Sequence, residues 1–168
     1  MNNIDIFSFD SEKKEEFENY YRKVKKIYPN WPKEVIKQWP YRHKDCLYNY
    51  MSLDLSKFKF DLEVWGNESV YSNIGTYKID MVDSLGTQIL QSNRSFLQKY
   101  MLNEKTWPSP IIVFKSNKEN VDSFNRKLNI PYHLLEGHLR LGYFRNLYRH
   151  KQEGLLGKHY VYVVTIDE

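Results

Sequence analysis

A chain of 168 residues, 41% hydrophobic, 27% charged and 16% aromatic, holds one compact unit with at most a small appendage, which excludes a large two-domain enzyme and a disordered chain. The net charge of +4, from 25 Lys and Arg against 21 Asp and Glu, is too small to argue for nucleic acid when spread over a whole surface. A single cysteine, Cys46, allows no intramolecular disulfide and no zinc cluster, and the opening MNNIDIFSFD lacks the regions of a secretory signal, so a cytoplasmic protein with no metal centre is expected.

Ser11 or Asp10 is placed to cap a helix running to about Tyr28, because Phe17, Tyr20, Tyr21, Val24, Ile27 and Tyr28 recur at three- and four-residue spacing. Acids crowd its first turns and Arg22, Lys23, Lys25 and Lys26 its later ones, matching the helix dipole. Pro29 ends it, and Pro32 opens a shorter helix toward Trp39. Residues 1–48 therefore read as a helical extension and 49–168 as the core. Such an aromatic stripe must be buried on its own core, or in a partner or homodimer interface through the N-terminal helices.

From about Tyr50 a two-residue period sets in, and Phe58 to Val64 reads as a strand ending in a Trp65-Gly66-Asn67 turn. Next comes an ambiguous stretch, where Tyr77, Ile79 and Met81 alternate while Leu85 and Ile89 suggest helix. Ser95 is expected to cap a helix carrying Phe96, Leu97, Tyr100 and Met101, followed by a buried strand from Pro110 to Phe114 and a polar stretch from Lys115 to Asn129. The last third predicts a strand over Tyr132 to Leu135, a helix from His138 to about Glu153 with Gly154 as its C-cap, and a strand over Tyr160 to Ile166, a βαβ-like unit. No apolar run reaches the roughly 18–20 residues of a membrane helix, so no membrane partner is expected. The fold class is α+β, a small mixed sheet with packed helices behind a helical N-terminal extension.

Alanine is absent while tyrosine occurs 14 times, a bias that AT-rich codons explain, so the aromatics are poor grounds for base stacking. The charge distribution says more. Between His138 and His159 lie five basic residues, Arg140, Arg145, Arg149, Lys151 and Lys158, against Glu153 alone, which leaves 20 of each sign elsewhere. Three of the chain's seven arginines fall between 140 and 149. Guanidinium suits phosphate and carboxylate through its planar, bidentate geometry, although a solvated helix face gives the same pattern.

In LLEGHLRLGYFRNL the strand passes straight into the helix through Glu136 and Gly137, which frees the first backbone N–H groups for an anion. Gly137 permits close approach of a ligand and Arg140 can add charge-assisted hydrogen bonds. His138, Arg145 and Arg149 fall near one helix face, and Leu139, Tyr143 and Leu147 form the opposite, core-directed stripe. A histidine bonded to a nearby carbonyl and a surface acid at a strand end are the simpler readings of His138 and Glu136 taken singly.

This string resembles the Gly-x-x-Arg strand-to-helix signature of the ParB/sulfiredoxin superfamily, and SLDLSKFKFDL and FLQKYMLNEKTWPSPIIVF resemble its opening strand and its helix, loop and P-I-x-V strand. The resemblance covers about Tyr50 to Asp167. It implies a nucleotide-binding domain, since ParB proteins bind and hydrolyse CTP and clamp DNA, sulfiredoxins use ATP to rescue an over-oxidised cysteine, and relatives include free-serine kinases. On the matching positions, Gly137, His138 and Arg140 would bind phosphate. Glu136 and His138 would be the catalytic pair, Glu136 as base or ligand of a metal-bound water, with Mg2+ arriving with the nucleotide. Sulfiredoxin chemistry is not expected, because His138-Leu139 stand where that activity needs Cys-His. Partition-type clamping is not expected either, because the chain ends at Glu168 without the helix-turn-helix that follows the core in ParB.

The leading expectation is thus an NTP-binding protein, with NTP hydrolysis or phosphoryl transfer at the EGHLR turn as its candidate reaction. A different class remains beside it: a non-enzymatic module of a mobile element or phage-defence system whose Arg145, Arg149, Lys151 and Lys158 face tracks DNA phosphates or binds a partner.

Overall fold

The first helix, α1, spans Phe17–Ile27, followed by α2 over Lys33–Gln38 and α3 over Lys44–Tyr48, in a computed structural model that describes residues 15–150 and 155–166. The expected caps of α1, Asp10 and Ser11, lie outside the described residues. Contacts divide the chain into two units. Unit 1 takes residues up to Phe60 together with 121–126 and 165–168, and unit 2 takes 61–120 and 127–164. This division falls after Phe60, whereas the sequence reading set it at 48, because Tyr50, Leu53, Leu55 and Phe58 are buried with the helical aromatics of unit 1.

Part of the apolar stripe of α1 is buried within the single chain, with Phe17 and Tyr21 partly exposed and Ile27 exposed. Tyr20, Val24 and Tyr28 are at most 3% exposed, as are Trp31 and Trp39 on the proline-bounded segment. Trp31 is the hub, stacking on Tyr28, Trp39 and Phe58 at ring separations of 4.9, 5.7 and 6.0 Å while its indole N–H donates to the Leu55 carbonyl at 3.1 Å. Each such pair adds about 0.5–1.5 kcal/mol beyond the area it buries. Glu18, the acid of α1, pairs with Lys33 of α2 at 2.6 Å. Segment 121–126 closes the unit: the Ser123 amide donates to the Asn49 carbonyl at 2.8 Å, and the Ser52 hydroxyl to the Val121 carbonyl at 3.0 Å.

Strand β1, Phe58–Trp65, runs across the division, and Gly66 then starts α4, Asn67–Asn73, where the sequence suggested a turn. The two-residue strand β2, Ile74–Gly75, leads to α5, Ile79–Gly86, which settles the ambiguous stretch as helix. Next is α6, Phe96–Glu104, opened by a capping box in which the Ser95 hydroxyl accepts from the Gln98 amide. Strand β3 spans Ile111–Lys115, β4 Tyr132–Glu136, α7 His138–Arg149 and β5 His159–Ile166. The sheet is mixed, in the order β1-β5-β3-β4-β2.

Parallel β3–β5 and antiparallel β3–β4 pairing make β4 and β5 opposite in direction, with β3 between them. The β4–α7–β5 segment is therefore not a parallel βαβ crossover. One sheet face presents Ile111, Val113, Leu134, Val161 and Val163 to a core shared with Leu141, Phe144 and Leu147 of α7. Helix α7 has a second neighbour as well, because every residue from Arg140 to Leu147 is buried. That neighbour is α5. A Cβ on Gly142 would stand 2.5 Å from the Val82 carbonyl oxygen, and one on Gly86 would stand 2.2 Å from the Gly142 carbonyl oxygen. The two helices cross backbone to backbone, and only glycine leaves room. Helix α7 is described only to Arg149; the expected end at Glu153 and the Gly154 cap lie outside the described residues.

Among the described residues no helix is long and apolar enough to cross a membrane.

Candidate functional site

Strand β4 carries Leu134 and Leu135, both fully buried, and delivers Glu136 to the sheet edge of the turn at 8% exposure. Gly137 follows in the left-handed region, φ 107°, as the N-cap of α7. A Cβ there would lie 2.6 Å from Cγ2 of Ile111, so backbone conformation and packing both demand glycine. The chain turns at once into the helix, and the amides of His138 and Leu139 make no backbone hydrogen bond among the described residues. They are the unpaired N–H groups that a helix start leaves over, and they carry the positive end of its dipole.

Arg140 points into the fold. One guanidinium nitrogen donates to the Ser109 and Pro110 carbonyls at 2.7 and 3.0 Å, and the other meets Glu136 Oε1 at 3.4 Å, with both side chains about 10% exposed. Ser109 and Pro110 immediately precede β3. Arg140 thus ties the start of β3 to the β4–α7 turn, and in this conformation its hydrogen bonds go to the protein. The pairing also means that Glu136 is a buried partner of Arg140 and no surface acid.

His138 is half-buried, and its ring makes no hydrogen bond among the described residues. Burial and, after it, the nearby Arg140 charge hold its pKa below the usual imidazole value, so the ring is neutral at pH 7. The sequence-selected residues Glu136, Gly137, His138 and Arg140 are therefore brought together, with the roles divided. Arg140 and Glu136 fix the turn, while the His138 imidazole and the first two amides are left without hydrogen bonds among the described residues.

The cations farther along α7 have a different fate. Arg145 is buried and donates through Nε and a terminal nitrogen to both oxygens of Asp83, at 2.7 and 3.3 Å, through its other terminal nitrogen to the Tyr71 carbonyl at 2.8 Å, and lies over the Tyr71 ring at 4.4 Å. Arg149 reaches the same carboxylate at 2.6 Å. Burial acts to raise the Asp83 pKa, but the bonds and charges of Arg145 and Arg149 outweigh it and hold the carboxyl below its ordinary value. The expected basic face of Arg145, Arg149, Lys151 and Lys158 is thus corrected at Arg145, which is internal and neutralised, and Arg149 shares its partner. Lys158 is exposed, with no ion pair among the described residues, and Lys151 lies outside them.

Asp83 and Tyr71 were not among the sequence-selected residues. The available signal was Asp83, placed between Val82 and Leu85 in the apolar pattern of Ile79, Met81, Val82 and Leu85, with Asp80 as a second acid in the first turn. Among the described residues no group of three or more His, Cys, Asp or Glu side chains converges as metal ligands.

Compared with known proteins, the chain matches no family model, no curated protein and no solved structure.

Proposed function

We propose that the protein binds the phosphate of a nucleoside triphosphate at the β4–α7 turn, as the motif's resemblance to the ParB/sulfiredoxin superfamily implies. The observation that carries this reading is one turn that joins unengaged first-turn amides to a neutral imidazole, His138, both fixed by the Gly137 conformation and the Arg140 anchor. Amides at a helix start donate to an anion without any side-chain desolvation, and a neutral imidazole adds one donor or acceptor. Magnesium would arrive with the nucleotide. For a hydrolytic or transfer step, Glu136 would have to act while paired with Arg140, so its role as a base is separable from binding.

The test is a titration of the intact protein with ATP, CTP, GTP and UTP, with and without Mg2+, read by calorimetry and by the His138 ring resonances. One nucleotide should bind and shift those resonances, and His138→Ala should weaken it about fivefold, the worth of one net hydrogen bond. Glu136→Gln should leave affinity nearly unchanged and lower any turnover by roughly 100-fold. Absence of binding by every nucleotide, or binding that leaves the His138 resonances unmoved, overturns the assignment.

A further inference from the structure

Strand β1 ends the sheet order β1-β5-β3-β4-β2, so among the described residues no strand pairs with its outer side. The opposite edge, β2, has two residues, whereas β1 has eight and neither proline nor glycine to interrupt them. A long edge of this kind offers a row of backbone donors and acceptors that another strand can meet.

Both faces of β1 are open at mid-strand, where Lys59, Asp61, Leu62 and Val64 are all exposed. Trp65 is buried in one core with Val161 and Val163. Alternation therefore puts Lys59, Asp61 and Glu63 on that face and Phe58, Phe60, Leu62 and Val64 on the other, which Tyr160 of β5 shares. A Cβ on Gly66 would stand 3.8 Å from the Gly157 carbonyl oxygen, which brings the Val64 end of β1 to the Tyr160 end of β5. Leu62, Val64 and Tyr160, all within unit 2, are 52%, 51% and 58% exposed. Single exposed apolar residues are ordinary, but three on one face beside an open edge mark a contact surface.

The sequence of β1 says what fits there. We propose that a second copy of this chain pairs antiparallel with β1 about a two-fold axis at Asp61. This register sets Lys59 of each copy opposite Glu63 of the other, Phe60 opposite Leu62, and Phe58 opposite Val64. It pairs residues 58–64 of both strands and covers both exposed aliphatic side chains. Each opposite-charge or aromatic–aliphatic pair favours association by about 1.5- to 5-fold, and only the Asp61 pair on the axis opposes it. A parallel copy in register would set lysine beside lysine and acid beside acid. An axis at Phe60 would leave Val64 beyond the partner's strand. This pairing does not depend on the nucleotide reading.

Sedimentation equilibrium of the intact chain between about 10 μM and 1 mM should show monomer and dimer with a Kd on the order of 100 μM, weak because one strand pair buries little surface. Amide exchange at residues 58–64 should slow as concentration rises. Val64→Lys, at an exposed position, should abolish the dimer. Lys59→Glu should weaken it at least about tenfold, and adding Glu63→Lys should restore it to within about threefold, because the same two ion pairs form with their signs exchanged. Asp61→Asn should tighten it about threefold. Near-UV circular dichroism at 10 μM checks that each variant keeps the monomer fold. A parent chain that stays monomeric at 1 mM, a dimer unaffected by Val64→Lys, or a Lys59→Glu defect that Glu63→Lys fails to rescue overturns the proposal.

Discussion

Replacing Asp83 by Asn removes one charge from the point where α4, α5 and α7 are tied together. In the parent, the carboxylate takes two bonds from Arg145 at 2.7 and 3.3 Å and one from Arg149 at 2.6 Å, with 19% of the Asp83 side chain and 10% of the Arg145 side chain exposed. The Asn oxygen can still accept from Arg145 Nε, but its amide N–H2 faces guanidinium donors, and the buried cation loses its counter-charge. Breaking a fully buried pair costs about 3–5 kcal/mol. Arg145 keeps the Tyr71 carbonyl and ring, and Asp83 is partly wet, so the loss is reduced to about 2–3 kcal/mol. With an m-value of about 2 kcal/mol/M, the urea midpoint should fall by about 1–1.5 M at unchanged slope, followed by tryptophan fluorescence. Arg149→Met, at an ion pair whose arginine is one-third exposed, should cost less than about 1 kcal/mol. Asp83→Leu combined with Arg145→Met should recover more than half of the loss, because an apolar pair leaves no uncompensated charge. A midpoint shift below about 0.3 M for Asp83→Asn, or an Arg149→Met effect of equal size, would refute the account.

Gly142→Ala should destabilise by about 2 kcal/mol despite the better helix propensity of alanine, since its methyl would stand 2.5 Å from the Val82 oxygen; a thermal melt showing a stabilised variant would contradict the backbone crossing. His159 is held neutral between Asn67 at 2.7 Å and Thr106 at 2.9 Å, and burial lowers its pKa to about 4 although the Leu156 backbone bond acts the other way. The unfolded chain binds this proton near pH 6.5, so stability is full above that pH and declines as pH falls toward 4, by on the order of 3 kcal/mol. His138, lowered in the same direction, adds to the loss. Urea midpoints that stay flat between pH 7 and pH 4.5 would show that neither ring is protected.

Helix α6 was legible because its signals are local: Ser95 caps it and four apolar residues follow at helical spacing. Strands β1, β3, β4 and β5 were legible for the same reason, each a run of apolar or alternating residues with its ends within two residues of expectation. Helix α5 was not, since Tyr77, Ile79 and Met81 alternate like a strand. What decides it is a partner far along the chain, the Gly86–Gly142 contact that buries Val82 while Met81 stays half exposed. The site divides along the same line. A glycine between a buried strand and a helix could be read from neighbours in sequence. The direction of Arg140 and Arg145 could not, because spacing names a helix face without saying what covers it, and α7 is covered on both sides. The carboxylate that neutralises Arg145 lies 62 residues upstream.

The route of the chain through unit 1 has a consequence for its birth on the ribosome. Unit 1 takes in residues 121–126, which bond to Asn49 and Ser52 and are made only after the whole stretch from Asp61 to Asn120. At about 5–20 residues per second, that segment follows the N-terminal helices by roughly 3–12 s. The N-terminal helices are therefore synthesised first, while the unit they belong to receives its last segments late.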